Sequence, residues 1–408
     1  METRAAHNPR TQAQEMTRKL RIFLCCQQSR RRHDVPAYSF WADYFRGGLS
    51  EAKHTWIEAP ECDWAEGLIS TDRTTTQAWQ ERTWSLAVEF LRREHARAPV
   101  DLFLAYLFPK QVLPAALSEI RALGIPCVNF FCDNVREFRS IPAEFNGFDL
   151  HWVPEYKGIS LYRHANLPYL SAPMPCWVPP SLRAPIAAET SPITFVGTRD
   201  EQREALFAEA FALGLQADLR GTGWQQADTK STKDIPRTRN PIERLRRQHH
   251  FAIQHGSRAL IRKWMFALQA RKPIDFDFSK SAKASPTGDD YWSVLRNSVV
   301  CIGVNRFPSL RRPFDQPGTY SRLRDIEAPM AGACYLTEWT EGLSELYDLT
   351  TEIETYRNAE ELADRATELA ADAKRRASLR KNGQRRALSD HSIPCTIAKI
   401  ANRLGIPR

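Results

Sequence analysis

The densest chemical signal in the chain is the run Gly318-Thr319-Tyr320-Ser321-Arg322-Leu323-Arg324-Asp325-Ile326-Glu327-Ala328-Pro329-Met330-Ala331-Gly332-Ala333. Its residue types predict a glycine-opened turn feeding a helix over 321–331. Such a turn leaves backbone N–H groups unpaired and aims the positive end of the helix dipole outward, making an anion site that a diphosphate fits. Leu323, Glu327 and Met330 follow at i, i+4 and i+7, so Glu327 falls on the inward, otherwise apolar face. A carboxylate in that place needs hydrogen-bond donors. The hydroxyls of a ribose would supply them, as would a neighbouring arginine in a purely structural network.

Three further positions sit where strands end. Arg199 follows an apolar run over 193–196 and the turn Gly197-Thr198, which puts it at the carboxyl edge of a sheet, where open α/β folds bind ligands. A guanidinium there suits phosphate recognition, and the plainer reading is a surface arginine near a helix start. Asn305 follows the run over 299–304 in the same way. Asp133 lies just past Phe130-Phe131-Cys132, facing the cleft, where a carboxylate can take the proton of a hydroxyl. Aspartate at a strand end is also a common turn former or helix cap.

The metal-like patterns are weaker. Asp275-Phe276-Asp277 has the spacing of a metal-holding carboxylate pair but stands in a basic, irregular stretch without a flanking strand. His249, His250 and His255 lack helical i, i+4 spacing beside a carboxylate. No metal site is expected.

The elements that must position these residues alternate between strand and helix. With 408 residues the chain is about twice the usual domain size, so two domains are expected. Strands are predicted over 21–26, 54–59, 101–107, 127–132 and 150–153. The helices between them span 39–47, ended by Gly47-Gly48, then 77–95, 112–123 and 158–165. Residues 168–192 hold seven prolines and read as a linker. A second βα series then begins with a strand over 193–196, a helix over 200–213, a helix over 291–297 and strands over 299–304 and 334–337. Strong helical pattern fills 359–390, and a last helix near 393–404 has the length to return to the first domain. The rhythm predicts an α/β protein with a flexible leader at 1–18, Rossmann-like domains over 19–175 and 176–390, and a C-terminal helix within 391–408.

The net charge of +9 suits a partner rich in phosphate, whether nucleotide, nucleic acid or anionic lipid. Residues 241–272 carry eight Lys or Arg against one Glu, interleaved with Trp264, Phe266 and Leu268. They form either a basic face that meets acceptor, membrane or nucleic acid, or a helical insertion whose charges face water. No run approaches the roughly 18 apolar residues of a membrane span. The nine cysteines show no pairing pattern and read as reduced thiols. A cytoplasmic protein, peripheral at most to the inner face of a membrane, is expected.

Residues 190–390 resemble the CgeB-like, group-one glycosyltransferases of the GT-B fold. The resemblance is carried by Ile193-Thr194-Phe195-Val196-Gly197-Thr198-Arg199, by the Gly318 to Ala333 run, by Tyr335-Leu336-Thr337-Glu338 and by Glu352-Ile353-Glu354-Thr355-Tyr356. The first half is similar only in its strand and helix rhythm. What this implies is two Rossmann-like domains facing across a cleft, and transfer of a sugar from a nucleoside-diphosphate sugar to a hydroxyl without metal or other cofactor. The implied acceptor is a growing surface glycan or its lipid-linked precursor. The resemblance places Arg199 at the leaving diphosphate, and Gly197, Thr198, Asn305, Gly318, Thr319, Tyr320, Ser321, Arg322 and Glu327 around the donor. Asp133 would face the acceptor. Glu327 takes the place of the second glutamate of an E-x7-E element, whereas Thr319 stands where the first would fall. Two rivals stay open: the same fold modifying a nucleic-acid base or a protein, and an inactive nucleotide or glycan binder.

Overall fold

The computed structural model describes residues 18–29, 31, 33, 37–69, 73–225, 276–306 and 318–407, with isolated positions between 245 and 274. The leader, most of 241–272, Asp275, His250 and His255 lie outside the described residues.

The central strands are short apolar runs buried on both faces, the pattern of a parallel sheet covered by helices, and the edge strands are more exposed. In the first domain the strands are β1 (Arg21–Cys25), β2 (Thr55–Ile57), β3 (Leu102–Ala105), β4 (Cys127–Phe130), β5 (Leu150–Val153) and β6 (Tyr169–Ser171). They pair in the order β2-β1-β3-β4-β5-β6, all parallel, with Phe23 beside Phe103 and Leu104 beside Val128. In the second domain β7 (Thr194–Val196), β8 (Asp218–Arg220), β9 (Ala282–Lys283), β10 (Cys301–Gly303), β11 (Tyr335–Glu338) and β12 (Glu354–Tyr356) pair in the order β12-β11-β10-β7-β8-β9, again all parallel. The chain reverses its direction of travel across the sheet between β1 and β3, and again between β7 and β10. Crevices open at such switch points, outside the carboxyl ends of the strands.

Three local expectations are corrected. The first concerns Gly47-Gly48, which does not end a helix: the helix Ala37–Glu51 runs through both glycines. A Cβ on Gly47 would stand 2.3 Å from the Trp177 ring, and one on Gly48 would stand 2.5 Å from Ile393. The pair is there for close approach by two other segments. The second concerns the proline-rich stretch, whose first residues Tyr169–Ser171 form the edge strand β6, with Leu170 beside Trp152. Prolines are tolerated beside a sheet edge, so a proline-rich composition did not exclude this strand, which falls inside the domain predicted over 19–175.

The third correction concerns the helix carrying Glu327, which spans Arg324–Met330 rather than starting at 321. Residues 318–323 form a turn instead. The turn is held by the Tyr320 N–H donating to the Asn305 carbonyl at 3.1 Å and by the Arg322 N–H donating to the Asp325 carboxylate at 3.0 Å.

The helix Ile393–Arg403 is capped by Ser392, whose hydroxyl accepts from the Cys395 N–H, and has proline at its start. Its Ile393, Ile397 and Ile400 are fully buried and join the core of the first domain. All nine cysteines are free thiols, eight of them buried. No described helix is long and apolar enough to cross a membrane.

Candidate functional site

A cavity of about 1140 Å3 opens at the β7/β10 switch point. Phe195, Val196, Gly197 and Thr198 from the end of β7 and Ile302, Gly303 and Val304 from the end of β10 form its floor. Arg203, Tyr291, Trp292, Arg322, Arg324 and Glu327 form its walls, and Phe40, Asp43 and Tyr44 of the first domain and Trp177 of the proline-rich stretch cover it.

The orientation of the arginines follows from one cap. The Asp200 carboxylate accepts the N–H groups of Gln202 and Arg203, both at 3.0 Å, and so starts the helix Glu201–Ala212. One residue before the cap, Arg199 is turned away from the cavity. It pairs with Glu204 at 2.7 Å and lies over the rings of Trp224 and Phe278, 5.8 and 5.3 Å from their centroids. Arg199 does not line the cavity. Arg203, one helical turn on, points inward instead. It donates to the Thr198 carbonyl at 2.6 Å and sits over the Phe195 ring at 5.5 Å.

Burial, and then the like charges of Arg322 and Arg324, lower the pKa of Arg203. Three guanidinium groups therefore gather in one partly dry space, an arrangement that a polyanion would relieve. Arg322 is held by the Arg306 carbonyl at 3.1 Å and stacks on Tyr320; Arg324 reaches Glu327 at 3.3 Å and stacks on Tyr291.

Glu327 is buried, with both oxygens bonded. Oε1 accepts from the Tyr44 hydroxyl at 2.5 Å, and Oε2 accepts from the Tyr291 hydroxyl at 2.6 Å as well as from Arg324. Burial and then the Glu327 charge push the Tyr44 phenol well above its ordinary range, so it stays a donor.

The remaining donor-site candidates divide. Gly197, Thr198 and Arg322 line the cavity. Asn305 does not: it is buried below the floor, donating to Asp325 at 3.1 Å and to the Glu338 carbonyl at 2.9 Å. Asp325, fully buried, also accepts from Tyr335 at 2.7 Å and Thr337 at 2.9 Å, so this network holds the 318–323 turn from beneath. Neither Gly318 nor Thr319 lines the cavity. Thr319 pairs with Arg306 through an isolated bridge, and its carbonyl accepts from Lys157 of the first domain at 3.0 Å. Ser321 lines a separate cavity of about 250 Å3 between the domains.

Tyr320 turns toward the first domain, where a cavity of about 300 Å3 lies at the β1/β3 switch point. Asp133, Arg136, Trp41, Tyr106 and Tyr320 line it, and it shares Phe40, Arg322 and Leu323 with the larger cavity. Asp133 occupies the N-cap position of the turn of helix Asn134–Glu137 without capping it through its side chain, and stands 3.6 Å from Arg136. Behind it, Glu155 is fully buried; burial and then the Asp133 charge push its pKa up to about 8.

Among the described residues, no group of three or more His, Cys, Asp or Glu is arranged to hold a metal. Asp277 accepts the N–H and hydroxyl of Ser279 at 2.9 and 2.8 Å, closing a turn.

Residues 237–402 match the profile of a family described as glycosyl transferase-like. None of the curated proteins matches the chain. Among solved structures, the sucrose-phosphate synthase of Thermosynechococcus elongatus is similar over 95% of this chain and 99% of its own, with a TM-score of 0.56 at 14% identity. A glycosyltransferase of Rickettsia africae is similar over 96% of this chain and 100% of its own, with a TM-score of 0.56 at 10% identity. The HepE protein of Anabaena in complex with UDP is similar over 95% of this chain and 99% of its own, with a TM-score of 0.54 at 11% identity. Two six-stranded parallel sheets facing across a cleft, shared over nearly the whole of each chain, define the GT-B fold.

Proposed function

We propose that the protein transfers a sugar from a nucleoside-diphosphate sugar to a hydroxyl acceptor. The observation that carries this reading is the convergence of Arg203, Arg322 and Arg324 with the Glu327 carboxylate on one cavity at the β7/β10 switch point. The guanidinium groups supply the charge and the forked donors that two phosphates require. They also stabilise the charge that builds on the leaving diphosphate as its bond to the sugar breaks, which lowers the barrier without a metal ion. Glu327 takes the ribose hydroxyls in place of the Tyr44 hydroxyl that now donates to its Oε1.

In the adjoining cavity, Asp133 accepts the proton of the attacking hydroxyl. Glu155 behind it is held neutral by burial, which leaves Asp133 as the base of the pair. The match of 237–402 to a glycosyl transferase-like family supports the reaction class. The resemblance of 190–390 to the CgeB-like enzymes supports a growing surface glycan or its lipid-linked precursor as acceptor.

The HepE structure contains UDP, which makes UDP and its sugars the first ligands to test. A nucleotide present at about 100 times its dissociation constant adds roughly 2.7 kcal/mol of stability, which a melting curve reads directly. The expected result is a raised melting temperature with one nucleoside diphosphate and slow release of that nucleotide from its sugar conjugate. Absence of any shift across uridine, guanosine, adenosine and thymidine diphosphates overturns the reading.

A further inference from the structure

The helix Ala37–Glu51 borders the large cavity and marks off its length. Phe40, Tyr44 and Gly47 stand at i, i+4 and i+7, so they share one face of that helix. Phe40 lines both the large cavity and the one that holds Asp133, which puts it where the two meet. One turn on, Tyr44 donates to Glu327. One turn further, about 10 Å along the helix from Phe40 at a rise of about 1.5 Å per residue, Gly47 lies against Trp177, whose ring lines the large cavity.

The Trp177 ring is fixed on two sides. A Cβ on Gly47 would stand 2.3 Å from its Cδ2, 2.4 Å from Cε3 and 2.7 Å from Cε2. Cδ2 is bonded to three other ring atoms, which leaves no approach to it in the ring plane, so Gly47 underlies a face of the indole. In the plane, the indole N–H donates to Glu51 at 2.9 Å, and Arg183 holds both oxygens of that carboxylate. The ring is partly buried and set in one orientation, with its other face left to the cavity. The neighbouring rings are already engaged: Tyr44 meets Phe40 and Trp292, Tyr291 lies under Arg324, and Phe195 lies under Arg203. Among the described residues, no ring or guanidinium covers Trp177 in this way.

The groups of a nucleoside-diphosphate sugar follow one another in a fixed order: sugar, diphosphate, ribose, base. With the transferred sugar at the junction beside Phe40, the diphosphate at the three arginines and the ribose at Glu327, the base falls beyond Glu327 on the side away from the junction. Along the helix, that is the turn of Gly47 and Trp177. We propose that Trp177 is the platform on which the base of the donor stacks. The proposal rests on the donor-site reading given above and extends it by one group. Stacking uses the π-face that every base has, so Trp177 supplies affinity without choosing among bases. A ring already seated on Gly47 and tied to Glu51 loses little freedom when the base arrives.

The test measures the affinity of the full-length protein, and of its Trp177→Leu and Trp177→Phe variants, for the nucleoside diphosphate that stabilises the wild type. Trp177→Leu should bind that nucleotide roughly tenfold more weakly, the scale of one base–aromatic stack, while inorganic pyrophosphate, which meets only the arginines, protects the variant and the wild type alike. Trp177→Phe keeps a ring without the N–H and should stay within about threefold of the wild type. Nucleotide binding should quench part of the wild-type tryptophan emission, and that part should be missing from Trp177→Phe, a readout that holds even where the leucine variant does not fold. Unchanged nucleotide affinity in Trp177→Leu, equal losses in both variants, an equal loss for pyrophosphate, or quenching of wild-type size in Trp177→Phe overturns the proposal and leaves the donor-site reading in place. Failure of the wild type to bind any of the four nucleoside diphosphates overturns both.

Discussion

Tyr44 of the first domain donates its hydroxyl to Glu327 of the second at 2.5 Å, so the carboxylate that faces the cavity is also a bond between the two domains. A ribose hydroxyl arriving at Glu327 competes with that phenol. Tyr44→Phe should therefore cost the free protein about 1.5–3 kcal/mol, the worth of a hydrogen bond to a charged group, while tightening nucleotide binding. Melting curves and titration calorimetry on one preparation read both. Weaker binding by the variant would show instead that Tyr44 contacts the nucleotide.

Glu327→Gln removes the charge that Arg324 and two tyrosines share. Nucleotide affinity should fall at least about tenfold, again on the scale of a charged hydrogen bond, and the melting temperature should fall as well because Arg324 loses its carboxylate. A large fall in melting temperature with unaltered affinity would refute the ribose assignment.

The inward Arg203 and the outward Arg199 make a matched pair of tests. Arg203→Met should weaken a nucleoside diphosphate by roughly tenfold or more and barely change the binding of the nucleoside alone, because the lost contact is to phosphate. Arg199→Met should leave both affinities in place. Equal losses for the two variants would return Arg199 to the site.

A buried carboxyl with its pKa near 8 makes stability depend on pH in a particular direction. Below the ordinary carboxylate range both folded and unfolded chains hold the proton; above it, up to about pH 8, only the folded chain does, so stability falls as pH rises through that interval. Glu155→Gln removes this titration. The melting temperature of the variant should fall less than that of the wild type between pH 5 and 8, and parallel curves would place Glu155 in a wetter setting.

Turnover should survive EDTA, since three guanidinium groups neutralise the diphosphate in the proposed reaction. Loss of activity on chelation, restored by manganese or magnesium, would require a metal and reopen the role of Asp275 and Asp277.

The fold was legible because its strands are apolar runs such as Leu102–Ala105 and Leu150–Val153, whose burial needs no knowledge of partners. Contacts between distant segments were not legible. Gly47 and Gly48 looked like a helix end because their reason lies at Trp177 and Ile393. The run around Glu327 was legible, and the rule that strand ends carry ligand groups led to the edge on which the cavity opens. That rule cannot say which side chain turns inward: the Asp200 cap decides, rotating Arg199 out and Arg203 in, and a closer reading of that cap could have found it. The sequence could not show that Asn305 lies beneath the floor, because a strand-end amide serves equally as the support of a turn. No signal in the sequence pointed to Tyr44, which meets Glu327 across 283 positions of chain.

The helix Ile393–Arg403 seats Ile393 against Gly48 and buries three isoleucines in the core of the first domain. On the ribosome, the first domain therefore emerges with a gap in its core that only a much later stretch of the chain can fill. Its final packing waits until the second domain has been synthesised. A nascent chain halted before residue 391 would leave the face of Ala37–Glu51 that these isoleucines cover without its partner.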